Sequence, residues 1–72
     1  MTPTTARIDP IALSVFRLKE GLTKSGLARR AGYSVGYLND LESGRRGGNA
    51  VVIRQLAEAL QVPASLLERR AA

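Results

Sequence analysis

The side chains of this chain that can do chemistry are charges and hydrogen-bonding amides, and none is a nucleophile beside a base. Eleven Lys and Arg residues stand against six Asp and Glu, while histidine and cysteine are both absent. Without histidine there is no His-based triad and no His acid–base pair. Without either residue type a zinc site is excluded, and without cysteine so is a disulfide framework. The Gly47-Gly48 pair follows no predicted strand and lacks the P-loop pattern. No enzyme, cofactor or metal is therefore expected. Recognition is what remains. A net charge of +5 and a pI near 10.8 suit a polyanionic partner. The charge is uneven: residues 1–46 hold eight basic and four acidic side chains, residues 47–72 three and two. The first part also carries Asn39, whose amide can pair with an adenine edge, and Asp40, whose carboxylate can accept from a cytosine amino group. Charge alone would also allow RNA, but Phe16, Tyr33 and Tyr37 are the only aromatics and form no visible stacking platform. The same charge also fits an ordinary solvated surface, and what distinguishes the two is how these residues are positioned.

Thr23 to Gly44 reads as two short helices joined by a turn. Thr23 is a good N-cap for the first, which runs to about Ala31, and Gly32 can take the left-handed conformation that ends it. Ser34 caps the second, Val35 to about Glu42, and Gly44 stops it. Leu27, Ala28, Ala31, Leu38 and Leu41 give each helix one core-facing side. The pattern is that of a helix-turn-helix whose second helix is free to enter a DNA major groove.

The motif Leu27-Ala28, Ala31-Gly32, Ser34, Leu38, Leu41-Glu42 and Gly44-Arg45, with Leu22-Thr23 before it, resembles the helix-turn-helix of the lambda-type phage repressors and Cro proteins, the XRE family. The resemblance extends to Phe16-Arg17 on one side and to Leu56-Ala57, Leu60 and Val62 on the other. It implies an all-α, five-helix DNA-binding domain. It also implies an ion pair of Arg17 with Glu42 beneath the helix-turn-helix, of structural rather than base-reading importance. Base reading falls by the same match on Val35, Gly36 and Asp40, with Tyr37 and Asn39 nearby. Relatives often carry Gln or Ser at the first two of these positions. Val35 can only pack on a thymine methyl, and Gly36 offers close backbone approach, so apolar contact and shape readout are expected to weigh more here. Tyr37 either stacks on sugar and bonds phosphate or fills the small core. Phosphate contacts are expected from Thr23 and Lys24 at the N-terminus of the first helix of the motif, and from Ser43, Arg45 and Arg46 after the second. In the family a Gln is common where Lys24 stands and bridges to a neighbouring side chain; lysine is expected to serve the phosphate but not that bridge. Arg29 and Arg30 are expected on a plain solvent face.

Along the rest of the chain, Met1 to Ile8 lacks periodicity and reads as a flexible tail; an alternative is an arm carrying Arg7 along the DNA. Asp9-Pro10 starts a helix to about Lys19, with Leu13, Phe16 and Leu18 facing inward and Val15 less certain. Residues 45–49 (RRGGN) read as a flexible connection, since glycine pairs and the lack of apolar residues argue against packing. Asn49 caps a helix from Ala50 to about Leu60, with Ile53, Leu56, Ala57 and Leu60 in the core. After Val62-Pro63 comes a last short helix, Ala64 to about Arg69. The organisation is one domain over residues 9–69, between the 1–8 tail and a frayed 70–72.

No signal peptide or membrane-spanning run is visible, so a bacterial cytoplasmic or nucleoid location and no membrane partner are expected. The resemblance implies a sequence-specific regulator, a repressor above all, that occupies a palindromic double-stranded operator as a homodimer, in some cases only on DNA. Ala64 and Leu66 match the family's dimer positions. A phage or prophage origin and a stand-alone, Cro-like protein go with it, as does a fragment of a longer repressor. The competing class is a protein-interaction unit such as the antitoxin of a toxin–antitoxin pair.

Overall fold

Each α-helix among the described residues begins at a side chain that accepts backbone N–H groups its own helix leaves free. The computed structural model describes residues 6–69. Its helices are α1 (Pro10–Lys19), α2 (Lys24–Ala31), α3 (Val35–Ser43) and α4 (Ala50–Leu60). Asp9 Oδ1 accepts from the Ile11 and Ala12 N–H groups at 3.0 and 3.3 Å. Thr23 Oγ1 accepts from Gly26 at 2.9 Å, Ser34 Oγ from Tyr37 at 3.1 Å and Asn49 Oδ1 from Val52 at 3.0 Å. Each cap contributes about 1 kcal/mol, a large share of what an 8- or 9-residue helix needs. Glycines in the left-handed region end the two helices of the motif, Gly32 at φ +84° and Gly44 at φ +86°. At the end of α4 the same conformation falls on Gln61, φ +59°. A side chain there costs about 1–2 kcal/mol. The turn holds because the Gln61 and Val62 N–H groups bond the Glu58 and Ala57 carbonyls at 3.2 and 3.0 Å.

α2 lies at the centre, packed on both α3 and α4, and α1 packs across α3. The core is aliphatic. Leu13, Leu27, Leu38, Leu41 and Leu56 are fully buried, one or two from each helix, and each stabilises the fold by about 1.5–3 kcal/mol relative to exposure. The three aromatics only border this core.

Four expectations need correction. The fold is all-α as expected, but the fifth helix is a single 3₁₀ turn, Ala64–Leu66, among the described residues. It closes with Leu66 N–H on Pro63 O and Leu67 N–H on Ala64 O. Leu67 closes the turn in a helical conformation (φ −99°, ψ −8°) and is buried, and the chain then straightens to pair Glu68 with Ile8 as an antiparallel bridge. Ile8, expected in a flexible tail, is instead 2% exposed. Its N–H bonds Gly47 O at 2.8 Å, Asp9 N–H bonds Leu67 O at 2.7 Å, and Arg69 N–H bonds Arg7 O at 2.7 Å. Residues 1–5 and 70–72 lie outside the described residues. The 45–49 connection is packed rather than loose, because a Cβ on Gly48 would lie 3.4 Å from both Leu41 and Val52. Leu18 faces solvent at 64% exposure, since Leu13 and Arg17 take the inward face of α1.

Candidate nucleic-acid interface

Helix α3 has two sides of opposite character. Leu38 and Leu41 are buried, while Val35, Gly36, Asn39 and Ser43 face solvent. The helix is held from beneath by charge. Arg17 Nε donates to Glu42 Oε2 at 2.7 Å and its Nη2 to Oε1 at 3.2 Å, a two-pronged contact between α1 and α3. Arg17 Nη1 also donates to the Leu22 carbonyl at 2.9 Å, and Ser14 Oγ donates to Glu42 Oε1 at 2.8 Å. Both side chains are nearly enclosed, at 11% and 5% exposure, and their polar atoms are satisfied. The pair therefore fixes the angle at which α3 leaves the body. Ser14 was not singled out from the sequence; its spacing three residues before Arg17 on α1 was the available signal.

At one end of the exposed face stands the start of α2. Thr23 Oγ1 occupies the Gly26 N–H, and the Lys24 and Ser25 N–H groups have no partner inside the helix. The Lys24 ammonium lies 2.8 Å from Asn39 Oδ1. The lysine thus does bridge to the reading helix, contrary to the expectation from its side-chain type. At the other end, Ser43 Oγ donates to the Asp40 carbonyl at 3.1 Å, which also accepts from the Arg45 and Arg46 N–H groups. Arg45 points into solvent. Arg46 Nε lies 3.3 Å from Asp40 Oδ2, and its guanidinium sits over the Tyr37 ring, 5.7 Å from the centroid.

This arrangement separates the five expected base-reading positions. Val35, Gly36 and Asn39 share the open face, and a Cβ on Gly36 would meet nothing within 4 Å. Asp40 is 28% exposed in its side chain and turned toward Arg46. Tyr37 is partly buried against the core and packs on Tyr33, ring centroids 5.2 Å apart. The Tyr33 hydroxyl donates to Gln55 Oε1, and burial, then the neighbouring Tyr37, raise its pKa above the ordinary tyrosine value. Arg30, expected on a plain solvent face, donates to the Ala59 carbonyl at 3.3 Å beside a shallow depression between α2 and α4. Arg7 lies over Gly47 instead of extending outward. Ala64 and Leu66 sit on the 3₁₀ turn, half-buried and 47% exposed respectively.

Two capped helices joined at a left-handed glycine, with the second presenting an open face, make this a DNA-binding helix-turn-helix domain of the kind found in transcriptional regulators. The family described as "Helix-turn-helix domain" matches residues 12–69. The chain belongs to this helix-turn-helix family, and its lambda-repressor/Cro (XRE) character is carried by the same residues. It is similar to the uncharacterized HTH-type transcriptional regulator y4dJ of Sinorhizobium fredii, 41% identical over 46 residues, which cover 64% of this chain and 60% of the relative. The restriction-modification controller protein C.AhdI of Aeromonas hydrophila superposes with a TM-score of 0.77 at 30% identity, covering 79% of this chain and 86% of that one. A hydroxyethylphosphonate dioxygenase superposes with a TM-score of 0.78 at 30% identity over 92% of this chain but only 14% of its own. That likeness concerns a small part of the enzyme and carries no catalytic reading. The comparisons favour the regulator class over the antitoxin alternative. No helix among the described residues is long and apolar enough to cross a membrane.

Proposed function

We propose that the chain is a sequence-specific regulator that represses transcription by occupying a roughly palindromic double-stranded operator as a dimer. The observation that supports this most is the open face of α3, bracketed by the N-terminus of α2 at one end and Ser43 to Arg46 at the other. In the major groove, Val35, Gly36 and Asn39 meet base edges. Thr23 and Lys24 grip phosphate through α2 N–H groups and the ammonium, while Ser43 and Arg45 hold the other strand's backbone. Asp40 and Tyr37 act one step back: the carboxylate orients Arg46 toward the backbone, and the ring supports it.

One recognition helix reads a short half-site. Two copies held about one helical turn apart supply the rest of the affinity and block polymerase. The exposed Leu66 beside Ala64 on the 3₁₀ turn supports the contact between copies. Selection of bound duplexes from a random pool at two salt concentrations tests the proposal. An inverted repeat of fixed spacing is the expected result. Recovery of a salt-sensitive pool without a motif would overturn it.

A further inference from the structure

We infer that Lys24 fixes the amide of Asn39 so that the two side chains together select guanine rather than adenine at one position of each half-site. The inference rests on the DNA-reading function proposed above. An ammonium has three N–H donors and no acceptor. The amide atom facing Lys24 Nζ at 2.8 Å must therefore be the oxygen, and the Asn39 NH₂ group is turned away from it. That NH₂ has no partner among the described residues, and Asn39 is exposed on the face it shares with Val35 and Gly36.

A free asparagine pairs with adenine by using both halves of its amide: Oδ1 accepts from the adenine amino group and Nδ2 donates to N7. In this structure the accepting half is occupied. Oδ1 keeps a second lone pair, but a base amino group approaching it would meet the remaining ammonium N–H groups, donor against donor. The surface that Lys24 and Asn39 offer is thus composed of donors and carries a positive charge. Guanine O6 and N7 are both acceptors and match it. Lysine at this place is therefore a specificity-determining residue that acts partly through Asn39, in addition to any phosphate it touches.

The same selection experiment, run on wild-type protein, Asn39→Ala and Lys24→Met, tests this. Competition binding then compares duplexes differing only by G·C against A·T at the position that Asn39→Ala alters. Wild-type protein is expected to prefer guanine there by about tenfold, within the range one good bidentate contact supplies. In Lys24→Met that preference is expected to fall to about twofold or less, with adenine gaining most. Loss of a phosphate contact alone would weaken both duplexes equally and leave their ratio unchanged. Adenine as the wild-type choice, an unchanged ratio in Lys24→Met, or no position altered by Asn39→Ala would each overturn the inference while leaving a wild-type operator motif intact. Absence of any wild-type motif would overturn the function and this inference together. Neither side chain is in the core, so coincident thermal melts of the three proteins are expected.

Discussion

Truncating Arg17 would leave the Glu42 carboxylate, 5% exposed, without its guanidinium partner and with only Ser14 still donating to it. Removing one member of such an enclosed pair costs about 3–5 kcal/mol. For a domain of this size that is most of the available stability. Arg17→Ala is therefore expected to lower the urea midpoint steeply, and the double variant Arg17→Met with Glu42→Leu to recover much of the loss. An unchanged midpoint in Arg17→Ala would show that the pair carries no stability. Two glycines make the opposite point about side chains that are missing. Gly36 is helical, and a Cβ there meets nothing within 4 Å. Gly36→Ala is expected to raise stability by about 0.5–1 kcal/mol in denaturation while weakening binding to the selected operator, because the helix can no longer approach as closely. Gly48, at φ +67° and 3.4 Å from Leu41 and Val52, is expected to lose stability on the same substitution.

The elements with clear punctuation were legible in the sequence. Asp9-Pro10, Thr23, Ser34 and Asn49 announced four helix starts, Gly32 and Gly44 announced two ends, and α4 ran from Ala50 to Leu60 as its period implied. The rest was hidden because it depends on contacts distant along the chain. Ile8 carries no local signal of burial; it is buried because residues 47 and 67–69 close around it. The last helix shortened to a turn because Glu68 and Arg69 pair with Ile8 and Arg7 instead of continuing it. Within the candidate site, the residue types suggested each role singly, but the pairs Lys24–Asn39 and Arg46–Asp40 join positions on different elements, and no spacing rule predicts them. The contrast between Ile8, before α1, and Ile11, on it, is testable. Ile8→Ala is expected to destabilise by about 2–4 kcal/mol as a core truncation, and Ile11→Ala, at a position 75% exposed, by no more than about 0.5 kcal/mol in the same urea titration. Tyr33 adds a pH dependence. Its folded pKa is raised, so its contribution is complete below the ordinary tyrosine value and declines as pH climbs past it toward the folded value. Tyr33→Phe is expected to flatten stability across that alkaline window.

For the molecule as a whole, a basic chain of net charge +5 binds a polyanion in a salt-sensitive way. The slope of log affinity against log salt counts the phosphates neutralised, about 0.9 for each. Arg45 points into solvent, so Arg45→Ala is expected to reduce the slope by about one. Arg46→Ala is expected to reduce it by less, since its guanidinium is already shared with Asp40 and Tyr37. Equal slopes for both variants would place the two arginines on the backbone alike. The bridge between Ile8 and Glu68 has a different consequence at this scale. Antiparallel partners lie about 5 Å apart, so the backbone enters and leaves the folded body through one narrow doorway. A host protein could receive residues 8–68 as a graft in a surface loop by parting that loop no wider than two neighbouring strands.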